Sequence, residues 1–159
     1  MTEFAHLNRK GQARMVDVTA KAPSVREAVA QSTIVMKPDV ARRIEEKGMP
    51  KGDVFGTARI AGILAAKKTA DIIPLCHQLP LTDVDVRFSV HAEKGEILIE
   101  ASAKTVSRTG VEMEAMTAAS VAALTIYDMC KSADRTMVIT DIKLMKKSGG
   151  KSGTFTRKD

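Results

Sequence analysis

Ionisable residues stand at both ends of a strongly apolar stretch between positions 107 and 131. Glu112 and Glu114 lie near its beginning, and Asp128 and Lys131 lie at its end. Because ionised groups lose hydration on entering a buried environment, groups in such a place are usually paired or functional. A buried carboxylate beside an ammonium group can hold unusual protonation states, as proton transfer near neutral pH requires. Asp128 and Lys131 are therefore acid–base candidates, although a surface i,i+3 ion pair explains the same spacing.

The length of this stretch separates its two ends. Glu114 lies fourteen positions before Asp128, which corresponds to roughly 21 Å along a helix axis. A compact site within one chain could hardly use both ends. Either the ligand is long or the site is assembled from two subunits, and the apolar surface of the helix favours subunits. We therefore predict a homo-oligomer.

Three further residues are candidates for anion binding, each with a simpler alternative. His77 lies between two prolines in an apolar loop that could aim its ring at a ligand, although a lone histidine is more often structural. Lys51 precedes a helix start, where an ammonium group and backbone N–H groups could bind phosphate, or it is a solvated turn lysine. Arg26 could bind phosphate through two N–H groups of its guanidinium, or it could be a surface charge.

Acids at a helix start and a basic carboxyl-terminal segment complete the candidates. Glu112 and Glu114 could cap the helix, or a carboxylate there could accept from the N–H edge of a purine or pterin. Residues 147–159 are expected to form a flexible basic tail. It is either a solvated end or a loop that folds over phosphate through Lys147 and Lys151. It is not a Walker A loop, because Met145 stands where the first glycine belongs.

Hydrophobic periodicity predicts the elements that position these residues. We expect a flexible arm over residues 1–22, a short helix capped by Ser24, and a short strand over 33–36. Further helices are predicted over 38–48, over 53–68 or as far as 72, and over 110–132. Further strands are predicted over 83–90, 97–106 and 135–146. From Thr33 onward, apart from the 38–48 helix, the order is βαββαβ, which predicts a ferredoxin-like α+β fold with an antiparallel sheet covered by helices.

Composition narrows the class of protein. The 159 residues fit one domain, so we treat 1–159 as a single domain. The net charge of +6 favours an anionic partner, and only 3% aromatic residues argues against single-stranded nucleic acid. We expect a small polyanion, no nucleic acid and no membrane.

The sequence also bears on location and cofactors. Residues 1–15 lack the apolar core of a signal peptide, and no apolar run reaches the length of a membrane span, so a cytoplasmic protein is predicted. Cys76 and Cys130 show no Cys-x-x-Cys spacing and are expected to be reduced. We predict neither a metal site nor a cofactor; Mg²⁺ carried by a nucleotide is a separate question.

Seven segments together resemble one known family. They are Met-Val-Asp-Val at 15–18, Lys-Gly-Asp-Val at 51–54, Ala-Arg-Ile-Ala-Gly at 58–62, Ile-Pro-Leu-Cys-His at 73–77, Thr-Gly-Val-Glu-Met-Glu-Ala at 109–115, Ala-Leu-Thr-Ile-Tyr-Asp-Met-Cys-Lys at 123–131 and Gly-Gly-Lys-Ser-Gly at 149–153. In this order they resemble the cyclic pyranopterin monophosphate synthase family, the second step of molybdenum cofactor biosynthesis. The family's loop usually reads Leu-Cys-His-Pro-Leu, and Gln78 replaces its proline here.

The resemblance implies a function and an assembly. The substrate would be 3′,8-cyclised dihydro-GTP, handed over by a radical SAM enzyme and converted to cyclic pyranopterin monophosphate with release of diphosphate. The subunit would form a hexamer, a trimer of dimers, with active sites between subunits. The family's catalytic aspartate falls on Asp128, and its essential lysines fall on Lys51 and Lys131. Its substrate-contacting segments fall on Leu75, Cys76 and His77 and on Met113 with Glu114.

These assignments yield a mechanistic hypothesis and two rivals. Met113 and Glu114 would recognise the base, while Lys51, His77, Lys147 and Lys151 would bind the triphosphate; Glu112 and Arg26 are further substrate-binding candidates. One rival is a basic, oligomeric nucleotide- or RNA-binding module without catalysis, whose binding would fall steeply with salt and survive loss of Asp128. The other is an enzyme acting on a different nucleoside triphosphate.

Overall fold

A computed structural model describes residues 6–8 and 10–158 of the protein. Alternating apolar and polar residues form its long strands, and longer apolar runs form its helices. The strands are β1 Ser24–Val35, β2 Leu81–His91, β3 Glu96–Ser107, β4 Val138–Ser148 and β5 Phe155–Thr156. The helices are α1 Pro38–Glu45, α2 Val54–Lys67, α3 Thr69–Ile72 and α4 Glu112–Cys130, with a 3₁₀ turn over Ala92–Lys94.

Within the described part of the chain, the strands form one antiparallel sheet in the order β2-β3-β1-β4-β5. The helices α2 and α4 pack on each other, α2 also on β2, and α4 on β1, β3 and β4. This arrangement confirms the predicted ferredoxin-like α+β class, with β5 added at one edge. None of the helices in residues 6–8 and 10–158 is long and apolar enough to cross a membrane.

Strand register brings distant parts of the chain to one end of the sheet. In the centre, β1 pairs with β3 from Ser24↔Ser107 onward, and on its other side it pairs with β4 from Glu27↔Ser148 onward. The start of β1 therefore lies between the ends of β3 and β4. Since only four residues separate the end of β3 from the start of α4, the first turn of α4 is at the same end of the sheet.

Small residues allow α4 to lie deep in the core. Its alanines at 115, 118, 119, 122 and 123 are fully buried, and so is Ile126. In α2, a Cβ atom added to Gly62 would lie 3.0 Å from the Ala118 carbonyl oxygen, so the two helices approach closely. The outer surfaces of both helices stay apolar, since Ile60, Leu64 and Leu124 are 58%, 55% and 58% exposed.

The predicted helix at Ser24 is wrong, because this region is the start of β1. Along β1, Ala28, Ala30, Ser32 and Ile34 are buried while the residues between them are partly exposed, which is the period of a strand. Pairing with β3 on one side and β4 on the other outweighs the local helical preference of the alanines. The predicted short strand over 33–36 is the last part of this longer strand.

The other predicted elements are confirmed, with shifts at their ends. The predicted 53–68 helix is α2, and the separate turn α3 follows it. At the carboxyl terminus, Lys147 and Ser148 belong to β4, and β5 pairs with Lys146 and Lys147. Flexibility of this tail and of the 1–22 arm stays a prediction, and residues 1–5 and 9 of that arm lie outside the described residues.

Candidate active site

The carboxyl-terminal end of α4 brings together the three residues predicted to be catalytic. The Lys131 Nζ atom lies 2.7 Å from Asp128 Oδ1, and the Lys51 Nζ atom lies 3.5 Å from Asp128 Oδ2. Lys51 also donates a hydrogen bond of 2.8 Å to the Asp128 backbone carbonyl, one of the free acceptors at a helix end. The Asp128 carboxylate is thus flanked by two ammonium groups.

Charge, rather than burial, sets the protonation of this cluster. The hydrogen bond and charge of Lys131, together with the charge of Lys51, hold the pKa of Asp128 below its usual value. In turn, Asp128 raises the pKa of Lys131. The side chains of Lys51, Asp128 and Lys131 are 46%, 62% and 52% exposed in the single chain, so the expectation of a buried pair is wrong for one subunit.

The amino-terminal end of α4 forms one wall of a cavity of about 430 Å³. The other walls come from the segment before β1 and from the loop before β2. The lining side chains include those of Val16, Val18, Lys21, Leu75, Cys76, His77, Glu112, Met113 and Glu114. Every predicted substrate-contacting residue of the segments 75–77 and 112–114 therefore meets at one cavity. Its lining combines apolar, acidic and basic residues.

Glu114 is the buried ionisable residue of this cavity, with 4% of its surface exposed. Burial, with a smaller contribution from the Glu112 charge, raises the pKa of Glu114 to about 7. Near neutral pH its carboxyl group can therefore accept a hydrogen bond or donate one. Burial and the charge of Glu114 also raise the pKa of the Cys76 thiol, which favours its neutral form. Cys76 and Cys130 are both free.

His77 links the segment before β1 to the loop before β2. Its Nε2 atom lies 2.7 Å from the Val16 carbonyl oxygen. Because a carbonyl oxygen only accepts, the Nε2–H group donates this hydrogen bond. The ring also borders a second cavity of about 330 Å³, which Glu114 and Gln78 line as well. His77 and Glu114 therefore face two adjoining cavities.

A basic cavity of about 710 Å³ lies near the start of β1. Lys21, Arg26 and Lys151 line it, together with the backbone around Gly150. Lys21 borders this cavity and the 430 Å³ cavity as well, so the two are neighbours. Sequence reasoning missed Lys21, because it lies in a polar segment without periodicity; its position three residues after the motif at 15–18 was the available signal.

The remaining predicted residues connect these regions through polar contacts. The Lys147 Nζ atom lies 3.6 Å from Glu112 Oε1 and donates to Ser152 Oγ. Arg26 donates to the carbonyl oxygens of Ser107, Arg108 and Gly149 at 3.3–3.4 Å. Arg26 therefore binds backbone in this structure and borders the basic cavity at the same time.

The predicted site residues thus fall into two groups at opposite ends of α4. None of Lys51, Asp128 and Lys131 lines the three cavities at the amino-terminal end. Among residues 6–8 and 10–158, no group of three or more His, Cys, Asp or Glu residues could hold a metal ion. Cavities with apolar, acidic and basic lining residues therefore lie at one end of α4, and a carboxylate flanked by two ammonium groups lies at the other.

The fold is ferredoxin-like, and the two groups place charged candidate residues at both ends of α4. The family model described as the MoaC family matches residues 15–150. That match covers most of the chain and all of its predicted site residues except Lys151. The chain belongs to the MoaC family.

Curated relatives match the chain over nearly its whole length, and each carries the name cyclic pyranopterin monophosphate synthase. The protein from Pelotomaculum thermopropionicum is 54% identical, over 99% of this chain and 93% of its own. The protein from Heliobacterium modesticaldum is 52% identical over 100% of both chains. The protein from Roseiflexus sp. is 56% identical over 98% of both chains. The family predicted from the seven motifs is confirmed.

Proposed function

We propose that this chain is a cyclic pyranopterin monophosphate synthase of molybdenum cofactor biosynthesis. It converts (8S)-3′,8-cyclo-7,8-dihydroguanosine 5′-triphosphate to cyclic pyranopterin monophosphate and releases diphosphate. The family membership supports the reaction class. The observation that carries the proposal in this chain is the cluster of Lys51, Asp128 and Lys131, which combines a carboxylate with two ammonium groups.

In this proposal, the amino-terminal end of α4 recognises the guanine-derived ring. Glu114 lies buried in the cavity wall and its pKa is about 7, so its carboxyl group can bind an N–H edge or a ring carbonyl. Met113 provides an exposed apolar contact beside it, and Leu75 and Cys76 provide the opposite wall. These contacts hold the ring in place while its bonds are rearranged.

The basic residues bind the triphosphate and stabilise the departing diphosphate. Lys51, His77, Lys147 and Lys151 supply the charges and donors, because phosphate oxygens gain negative charge as the bond to the diphosphate breaks. The lowered pKa of Asp128 keeps its carboxylate ionised, in the form that can accept a proton, and the raised pKa of Lys131 keeps its ammonium group protonated, in the form that can donate one. Together they perform the acid–base steps of ring opening and pterin formation.

The complete site in this proposal forms between two subunits of a homo-oligomer, a hexamer built as a trimer of dimers. Glu114 and Asp128 are separated by roughly 21 Å along α4, and the exposed Asp128 cluster can close a neighbour's cavity. The exposed apolar residues Ile60, Leu64 and Leu124 on the outer surfaces of α2 and α4 support subunit contacts. The enzyme would act in the cytoplasm and receive its unstable substrate from the radical SAM enzyme that makes it.

The reaction itself is the first test. The purified protein is incubated with the 3′,8-cyclised dihydro-GTP, and both cyclic pyranopterin monophosphate and diphosphate are quantified; GTP and ATP serve as comparison substrates. Stoichiometric formation of both products from the cyclised nucleotide alone supports the proposal. Salt-sensitive nucleotide binding without any product supports the binding module instead, and turnover of GTP or ATP supports the other rival.

Subunit mixing tests the shared site. Glu114→Ala and Asp128→Ala are each expected to be nearly inactive, because each destroys one end of every site. When the two variants are unfolded, mixed and refolded together, some interfaces combine an intact Glu114 with an intact Asp128, so part of the activity returns. Mixed oligomers without any recovered activity would contradict sites built from two chains.

A further inference from the structure

The turn between β4 and β5 comes unusually close to Arg26. Gly149 and Gly150 have φ values of +92° and +73°, a backbone conformation that residues with a side chain rarely adopt. A Cβ atom at Gly149 would overlap the Val25 carbonyl oxygen, and one at Gly150 would overlap Nη1 of Arg26. Gly153 has a similar φ of +66°, but no described atom lies within 4 Å of its Cβ position. A side chain at position 150 would therefore have to displace the guanidinium group, in addition to the cost of the backbone conformation.

The guanidinium group of Arg26 joins two chain segments that are distant in sequence. It donates to Ser107 and Arg108 at the end of β3, and to Gly149 directly after β4. A planar fork of five N–H donors can satisfy several carbonyl groups at once, which a lysine ammonium group cannot do in this geometry. Arg26 also lines the basic cavity.

The segment that Arg26 holds carries the predicted phosphate-binding lysines. Lys147 is the second-last residue of β4, and it contacts Glu112 of α4 and Ser152 of the turn. Lys151 lies in the turn itself and lines the basic cavity. Lys147 is held by strand pairing with Ala28 and Phe155, so a turn that moved away from β3 would carry mainly the Lys151 ammonium group away from the basic cavity.

We propose that Arg26 is a positioning residue, which holds the β4–β5 turn against the end of β3 and thereby directs Lys151 towards the basic cavity. The catalytic meaning of this contact rests on the proposed function, since it assumes that Lys151 binds the triphosphate. If Arg26 only bound phosphate through its guanidinium group, it would not need to donate to carbonyl groups both at the end of β3 and at Gly149 after β4. It would also leave Gly150 free to vary within its backbone conformation.

Hydrogen exchange in the ligand-free protein tests the contact without any substrate. Amide exchange of a peptide spanning residues 149–158 is compared among the parent protein, Arg26→Lys, Gly150→Ala and Gly153→Ala, with the peptide over α1 as a reference. Arg26→Lys and Gly150→Ala should each accelerate exchange in this peptide by at least about tenfold, as expected for losing several hydrogen bonds. Gly153→Ala is the matched control, because it carries the same backbone cost without the overlap, and it should change exchange much less.

A double variant isolates the pairwise contact. In an Arg26→Ala background, Gly150→Ala should accelerate exchange no more than Gly153→Ala does, because the group that it displaces is gone. Equal effects of Gly150→Ala and Gly153→Ala in the parent background would overturn the proposal. So would unchanged exchange in Arg26→Lys, which keeps the charge and removes the fork.

The enzymatic readout separates this inference from the proposed function. Arg26→Lys and Gly150→Ala should both raise KM by about tenfold and also lower kcat, because a misplaced Lys151 ammonium group binds the triphosphate less tightly and stabilises the departing diphosphate less. The Asp128 cluster is unchanged in both variants. If the parent protein forms no product but the variants show the expected exchange pattern, the contact is supported and the proposed reaction is contradicted. If the parent protein forms product and KM is unchanged in both variants, the proposed reaction is supported and the positioning role is contradicted.

Discussion

The two ends of α4 each carry a candidate carboxylate, and their surroundings change the proton affinity in opposite directions. Glu114 is 4% exposed, and burial raises its pKa to about 7. Asp128 has a 62% exposed side chain, and Lys131 and Lys51 lower its pKa. One helix therefore presents a carboxyl group that is partly protonated at neutral pH and another that is fully ionised.

The comparison shows which physical effect dominates at each end. Near a helix amino terminus, the dipole favours an ionised glutamate by typically up to about 1 kcal/mol. A rise in the pKa of Glu114 from 4.5 to about 7 corresponds to about 3 kcal/mol against ionisation, so burial outweighs the dipole. At the other end, the flanking ammonium groups act on an exposed carboxylate, and no comparable desolvation opposes them.

The largest expected effect is on catalysis at the exposed end. Asp128→Asn removes the proton acceptor and should lower product formation by about 10²- to 10⁴-fold. Thermal unfolding should change little, because the side chain is exposed. Product formation and unfolding are measured on the same preparation. Asp39→Asn is the matched control, since Asp39 also forms an exposed i,i+3 ion pair, with Arg42, and should keep full activity. A folded and fully active Asp128→Asn would remove this residue from the mechanism.

The next effect is on stability at the buried end. Below pH 4.5 Glu114 is protonated in both the folded and unfolded chains, so it has no effect on pH dependence there. Between pH 4.5 and about 7 the folded chain keeps a proton that the unfolded chain releases, so stability falls as pH rises, by up to about 3 kcal/mol. Glu114→Gln should remove this decline.

Urea unfolding at pH 5 and pH 8 measures the decline. The difference between the two pH values should shrink in Glu114→Gln and should persist in Glu112→Gln, which changes a half-buried carboxylate two residues earlier. An identical decline in the parent protein and in Glu114→Gln would mean that Glu114 is not the group responsible. The raised pKa of Glu114 would then no longer contrast with the lowered pKa of Asp128 at the other end of α4.

A smaller effect concerns the contact between α4 and β4. The Glu112–Lys147 pair is partly exposed, and its atoms are 3.6 Å apart. A double-mutant cycle with Glu112→Gln and Lys147→Gln should give a coupling free energy of at most about 1 kcal/mol in urea unfolding. A coupling well above that value would make this pair a main support of the amino-terminal end, alongside burial.

The smallest effect distinguishes the two lysines of the exposed end. Lys131 is the main cause of the lowered pKa of Asp128, and Lys51 contributes less. Lys131→Ala should therefore raise the pKa of Asp128 more than Lys51→Ala does, as measured by carbon-13 NMR titration of the carboxyl group. The reverse order would show that the 3.5 Å contact from Lys51 outweighs the 2.7 Å contact from Lys131.

Much of the fold was predictable because its signals are local. The alternation over β2 and β3 and the apolar run of α4 fix those elements within a few residues of their observed ends. The start of β1 was not predictable in this way, because its alanines favour a helix and its strand state depends on pairing with β3 and β4. In this region, hydrogen bonds between strands far apart in the chain outweigh the local helix preference of the alanines.

The sequence by itself determined the family and the order of the long elements from Thr33 onward. It also determined the contact of Asp128 with Lys131, since residues three apart on a helix are neighbours. Only the tertiary structure decided that Lys51 reaches Asp128 from 77 positions away, and that Arg26 reaches the carbonyl groups of Ser107, Arg108 and Gly149. It also decided that Glu114 is buried while Asp128 is exposed. The reason is that periodicity and spacing describe neighbours along the chain, whereas burial and long-range pairing depend on how the sheet and helices pack together.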